Sequence, residues 1–199
     1  MKILLSVIFL FFSGVLFPQS AESVLSSLQS KFNSINDLSA DIFQNLDERN
    51  GLSGKMFFKR ENNLRIEFPN KILVADGKTA WNYNKKEKKL IISDYEETSS
   101  GLLSINYLVY QYPSECDLTL SKEGSNQVLQ LNPKSRKNNP GIIKLYINKD
   151  NLIDKAVIQK NGSARTEVKF SNYKINQKIS ATNFSFTAPE GTTVIDLRE

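Results

Sequence analysis

The chain reads as a mainly β protein with helices (α+β), an antiparallel and strongly curved sheet with its helices on one side. Three observations predict this. Residues 53–84 form a meander in which apolar side chains recur at every second position. From residue 117 onward, short alternating stretches are separated by turn residues such as Asn161-Gly162. Only two segments of the mature chain carry a helical apolar period, and nothing alternates strand with helix as a parallel sheet requires.

The elements follow in order. Lys2 precedes an apolar run from Ile3 to Phe17, too short and punctuated for a membrane span. Residues 1–20 are therefore expected to be a signal peptide, cleaved near 18–21, leaving 21–199 as a single exported domain. Residues 22–35 place Val24, Leu25, Leu28, Phe32 and Ile35 on one helical face. A strand over 39–46 leads into the meander. There Met56, Phe57 and Phe58 run together, and Leu64, Ile66 and Phe68 alternate with Arg65 and Glu67. Ile72, Leu73 and Val74 follow, then the Asp76-Gly77 turn, then Trp81 and Tyr83. After a strand over 90–95, Ser99 and Ser100 are N-cap candidates for a helix over 102–112. That helix is apolar nearly all round and is expected to end at Pro113, so it must be buried or close over something apolar. Strands over 117–122, 127–132, 141–148, 152–160 and 164–172, and a last one around 184–187, bring the count to about ten strands and two or three helices.

Composition excludes much. The chain has no histidine, which removes Ser-His-Asp, Cys-His and His-metal chemistry. Glu96 and Glu97 beside Asp94 read as a solvated charge run, and the DGKT at 76–79 lacks the upstream glycine and following helix of a phosphate loop. No enzyme, metal site or cofactor is expected. Cys116, the sole cysteine, cannot form an internal disulfide and is expected to pack as a small apolar side chain. The net charge of +5 comes from dispersed lysines with no stripe or recognition motif, so nucleic-acid binding is not expected. The lysines form a solvated surface or attract anionic headgroups or an acidic partner.

Arg60 stands apart. It shares the parity of Met56 and Phe58 and should point to the same apolar face. A charge there is costly unless paired, so either that face is open to solvent or something meets the guanidinium. The apolar surplus fits a filled core or the wall of a cavity. The aromatic load of 56–83 and the placement of Arg60 favour the cavity.

The residues also carry a resemblance. IFQN at 42–45, GKMFFKR at 54–60, LRIEF at 64–68, ILVADGKTAWNYN at 72–84 and FSFTAPEGTTVID at 184–196 are similar, in order, to the LolA family of periplasmic outer-membrane lipoprotein carriers. The resemblance implies an unclosed antiparallel β-barrel with a helical lid over a hydrophobic cavity. It implies cargo of acylated lipoproteins, received from an inner-membrane ABC transporter (LolCDE-like) and passed to an outer-membrane receptor (LolB-like) by a monomeric periplasmic protein of a Gram-negative-type bacterium. The family's strand arginine corresponds to Arg60, which would bond the lid backbone and latch the empty carrier. The family often has proline next, where this chain has Glu61. Strand parity with Arg60 assigns Met56, Phe58, Leu64, Ile66 and Phe68 to the cavity wall, and an assumed register adds Trp81, Tyr83, Leu103 and Tyr107. A receptor or sensor of the same fold, and a ligand-free periplasmic interaction module, are the alternatives. The receptor would need an N-terminal lipidated cysteine, which the chain lacks.

Overall fold

Twelve strands join in one sheet in the computed structural model, which describes residues 19–46, 49–95, 104–135, 141–159 and 165–198. The chain enters through helix α1 (Ala21–Asn33), capped by the Ser20 hydroxyl, which accepts from the Ser23 N–H at 3.1 Å. Val24, Leu28 and Phe32 recur at helical spacing and bury one stripe. A run of antiparallel strands follows: β1 (Asp37–Leu46), β2 (Arg49–Lys59), β3 (Asn63–Glu67), β4 (Lys71–Asp76), β5 (Thr79–Asn84) and β6 (Lys89–Asp94). The second half holds β7 (Cys116–Glu123), β8 (Asn126–Pro133), β9 (Ile142–Ile147), β10 (Ile153–Gln159) and β11 (Thr166–Ile175). β1 pairs with β11 and joins the two halves. The final strand, β12 (Thr193–Asp196), pairs with β6. The order β12-β6-β5-β4-β3-β2-β1-β11-β10-β9-β8-β7 leaves β12 and β7 as the edges, so the sheet curls without closing.

Turn chemistry sets the register. At the β2–β3 turn, three residues connect the paired Lys59 and Asn63, and two of them, Glu61 and Asn62, turn the chain with positive φ, 69° and 61°. At the β4–β5 turn, Gly77 takes φ 84°, while Asp76 Oδ1 accepts from the Lys78 and Thr79 N–H groups at 2.9 and 2.7 Å. Cross-strand rows follow. Met56 faces Ile66, Ile66 faces Leu73, Leu73 faces Asn82 and Asn82 faces Ile91. These residues share the concave face with Leu129, Leu131, Ile143, Leu145 and Val168 from the other half, and α1 packs into that concavity.

Three expectations are corrected. The strand anticipated at 184–187 is a 3₁₀ turn (Ala181–Phe184) followed by extended chain, and the true last strand runs parallel to β6 rather than antiparallel. A parallel return requires a long crossover, and the segment before β12 supplies it by crossing the outer face of β3–β5. There Phe184 is buried, the Phe186 ring centroid lies 5.3 Å from that of Tyr83, and Arg65 donates to the Asn183 carbonyl at 3.2 Å. Second, the second helix does not stop before Pro113. It occupies 105–114, with a π-type stretch (Tyr107–Gln111) and then an α turn (Tyr112–Ser114) that holds Pro113 in its first turn. The proline lacks an N–H, which is tolerated where no intrahelical acceptor is needed. Third, the sheet has twelve strands among the described residues rather than about ten, and its last strand is β12 instead of the one anticipated at 184–187. The signal segment through residue 18, Ser99, Ser100 and the start of the second helix lie outside the described residues.

Candidate functional site: a covered apolar face and its polar clasp

The concave face is apolar because every second residue of its strands is, and two helical elements cover part of it. α1 contributes Val24, Leu28 and Phe32, and the 105–114 segment contributes Ile105, Leu108, Val109 and Tyr112, all buried against the sheet. Polar bonds join the two covering elements. Gln29 Nε2 donates to the Val109 carbonyl at 3.0 Å, and the Tyr110 hydroxyl donates to Asn33 Oδ1 at 2.6 Å. Burial pushes the Tyr110 phenol above its ordinary range, while the charge of Arg60 works in the opposite direction.

Arg60 follows the last residue of β2 and reaches across to the end of α1. Its Nε donates to the Ile35 carbonyl at 2.9 Å, its Nη2 donates to the Asn33 carbonyl, and its backbone N–H donates to the Asn36 carbonyl at 3.0 Å. The expected partner was the backbone of the 102–112 helix. The described acceptors belong instead to the C-terminal end of α1 and the turn after it. The physical reason is general: the last carbonyls of a helix have no internal partner and carry the negative end of its dipole. Arg60 still borders the second element, because a cleft of about 520 Å³ is lined jointly by Phe32, Asn33, Phe58, Arg60, Ile105 and Tyr110.

Met56, Leu64, Ile66 and Phe68 lie buried on the concave face, and Phe58 is partly buried against the same cluster. Gly54 makes room for Phe68, since a Cβ at that position would lie 2.8 Å from the ring. Tyr107 is half-buried and stacks on Tyr112 at 5.5 Å. Leu103 lies outside the described residues. Trp81 and Tyr83 are corrected by one residue of register. Trp81 pairs with Val74, Val74 with Arg65 and Arg65 with Phe57, a row on the outer face. Tyr83 is likewise on the outer side, buried under Phe186. A one-residue slip exchanges faces, so Ala80 and Asn82 occupy the inward positions, although Trp81 borders the cleft described next.

Beyond the helical cover, the concave face of β3–β6 forms an open cleft of about 520 Å³. Leu64, Ile66, Phe68, Leu73 and Ile91 make its apolar surface, with Gln44, Asn82 and Ser93 among them and Asn70, Lys71 and Asn84 at its border. Leu73, Asn82, Ile91 and Gln44 had not been assigned from sequence. Counting outward from the Asp76-Gly77 turn would have placed Leu73 and Asn82 together. Near the β7 edge, burial pushes the Cys116 thiol up to about 11, with a Tyr112 hydrogen bond opposing and Glu115 reinforcing the shift. Among the described residues no cluster of His, Cys, Asp or Glu could hold a metal, and no helix is long and apolar enough to cross a membrane.

Comparison with known proteins places this geometry. The sequence matches the family described as outer membrane lipoprotein carrier protein LolA over residues 33–187. It is 28% identical over 204 aligned residues to an outer-membrane lipoprotein carrier protein of Legionella pneumophila, covering 98% of this chain and 99% of that one. It is 29% identical over 188 residues to a protein of the same name from Histophilus somni, covering 89% of each. An uncharacterized conserved protein from Thermus thermophilus shares the fold, with a TM-score of 0.58 at 17% identity over 88% of this chain and 98% of that one. On a match that runs from the end of α1 to beyond the 3₁₀ turn, this chain belongs to the LolA family of outer membrane lipoprotein carrier proteins.

Proposed function

We propose that this protein takes acylated lipoproteins released from the inner membrane, shelters their acyl chains on its concave face and delivers them to the outer membrane. It acts in the periplasm as a monomer of residues 21–199, after loss of the signal peptide 1–20. Its cargo arrives from an inner-membrane ABC transporter (LolCDE-like) and leaves for an outer-membrane receptor (LolB-like). The protein is not an enzyme, in keeping with its family. The observation that carries the reading is the apolar concave face under two helical elements held to each other and to the end of β2 by a few polar bonds.

The energetics suit a carrier. Each methylene removed from water contributes about 0.8 kcal/mol, so acyl chains do not cross an aqueous compartment unaided. A cavity that held them with that full energy would not release them. In this protein, loading must lift the α1 and 105–114 lid and break the Arg60 bonds to the Asn33 and Ile35 carbonyls, so part of the burial energy is offset and delivery stays feasible. The test is a release assay in which inner-membrane vesicles bearing labelled lipoprotein are incubated with and without the mature protein. The reading requires lipoprotein in the soluble fraction as a complex with the protein. Lipoprotein that stays membrane-bound under both conditions overturns it.

A further inference from the structure

The open cleft of β3–β6 is not a plain hydrocarbon surface. Asn82 stands directly between Leu73 and Ile91 in the cross-strand row that continues to Ile66 and Met56, a position the alternation reserves for an apolar side chain. Gln44 borders the same cleft from β1, opposite Leu52. Both side chains are half-buried, and neither has a hydrogen-bond partner among the described residues. The neighbouring Asn84 shows the contrast: its Oδ1 accepts from the Lys86 and Glu87 backbone, so it serves the β5–β6 turn. An amide amid apolar surface is unfavourable unless something meets it, and each amide offers two N–H donors.

We propose that this half of the concave face is a site for ester-linked acyl glycerol, with the Asn82 and Gln44 amides donating to acyl-ester carbonyl oxygens above the Leu73 and Ile91 surface. The inference rests on the carrier reading and names the chemistry of that site. An uncharged carbonyl suits these donors: they carry no charge, and the acyl chains that flank an ester extend naturally over Leu64, Ile66 and Phe68. The glyceryl ester is shared by the lipid anchor of a bacterial lipoprotein and by a membrane phospholipid. Alkyl ethers of glycerol have the same shape and chains but no carbonyl.

The experiment compares fluorescent dipalmitoylglycerol with its dihexadecyl ether analogue on the full mature protein. The wild type should bind the ester roughly three- to tenfold more tightly, as the net contribution of one or two neutral hydrogen bonds requires. Asn82→Leu should shrink the difference, and Asn82→Leu combined with Gln44→Leu should abolish it, while leaving ether binding intact. Asn82→Asp keeps the shape but loses the donors, and should also shrink the ester preference, which covers the case in which the Leu variant folds poorly. Displacement of the ester probe by a diacylglyceryl lipopeptide, or by phosphatidylethanolamine alone, upholds the site and identifies its source. Displacement by neither overturns it. Equal binding of ester and ether by the wild type overturns the inference and leaves the carrier reading standing. Binding of neither probe overturns both.

Discussion

Arg60 and Ile35 meet at 2.9 Å, the guanidinium Nε against a carbonyl just past the end of α1, and this bond ties the covering helix to the rim of the sheet. The same side chain also donates to the Asn33 carbonyl, so one residue holds two groups at the helix terminus. Arg60 is itself exposed, which puts the clasp where solvent or a partner can reach it. On the carrier reading proposed above, a closed empty state and an open loaded state would differ by a small set of breakable bonds.

Removing the clasp should shift that balance. Hydrogen bonds from a charged donor contribute about 1.5–3 kcal/mol when shielded and less when exposed, so Arg60→Leu should favour the open form by roughly tenfold. The variant should load cargo from inner-membrane vesicles as well as the wild type and hand it to a receptor more slowly. Transfer at the wild-type rate would remove Arg60 from the delivery step.

The turn after Arg60 makes a separate prediction. Glu61 sits at φ 69°, whereas proline is locked near about −65°. The proline often found at this place in the family is therefore incompatible with this hairpin. Glu61→Pro should lower stability by about 3 kcal/mol or more. Glu61→Gly, which enters the left-handed region freely, should stabilise by up to about 1 kcal/mol. Thermal midpoints of the two variants should therefore move in opposite directions.

Tyr83 distinguishes the two faces. On the outer side beneath Phe186, its truncation should open a gap under the chain end and cost about 3 kcal/mol. Lipid binding at temperatures where Tyr83→Ala is folded should be unchanged. A variant of normal stability that no longer binds lipid would return Tyr83 to the concave face.

Cys116 makes stability depend on alkaline pH. Its folded pKa of about 11 exceeds its ordinary value of 9.0, so the folded protein holds this proton more tightly than the unfolded chain does. That contribution is fully present below about pH 9 and is lost as the pH rises through about 11. Urea midpoints between pH 9 and 11 should fall more steeply for the wild type than for Cys116→Ala. At neutral pH the thiol should resist iodoacetamide until the protein unfolds.

Much of this was legible in the sequence, and the failures have a common cause. The 53–84 meander, its Asp76-Gly77 turn and the parity of Arg60 with Phe58 rest on strand alternation, which holds wherever one face is buried and the other is wet. Alternation is lost in β4 and β5 because apolar residues occupy both faces: Leu73 and Ala75 look inward to the cleft, while Val74 and Tyr83 are buried on the outer side. With apolar residues at consecutive positions, the larger aromatics Trp81 and Tyr83 drew the assignment and the inward Asn82 was passed over. The parallel β12 was hidden for a related reason. FSFTAPEGTTVID resembles a family ending, but its Phe184 and Phe186 act as a cover for the outer face rather than as a strand. The clasp partner at α1 was not readable at all, since it depends on where a helix terminus lands relative to a strand end.

The central claim is that α1 and the 105–114 segment lift from the concave face to admit acyl chains. Spin labels at the exposed positions Gln111, beside the clasp, and Lys78, in the β4–β5 turn, would report it directly by electron–electron distance measurement, with the buried Cys116 left unlabelled. The distance should be short and narrowly distributed in the empty protein, and should lengthen on saturation with a diacylglyceryl lipopeptide. In Arg60→Leu it should already be long and broad before any lipid is added. A distance that stays the same with lipopeptide demonstrably bound would contradict the account.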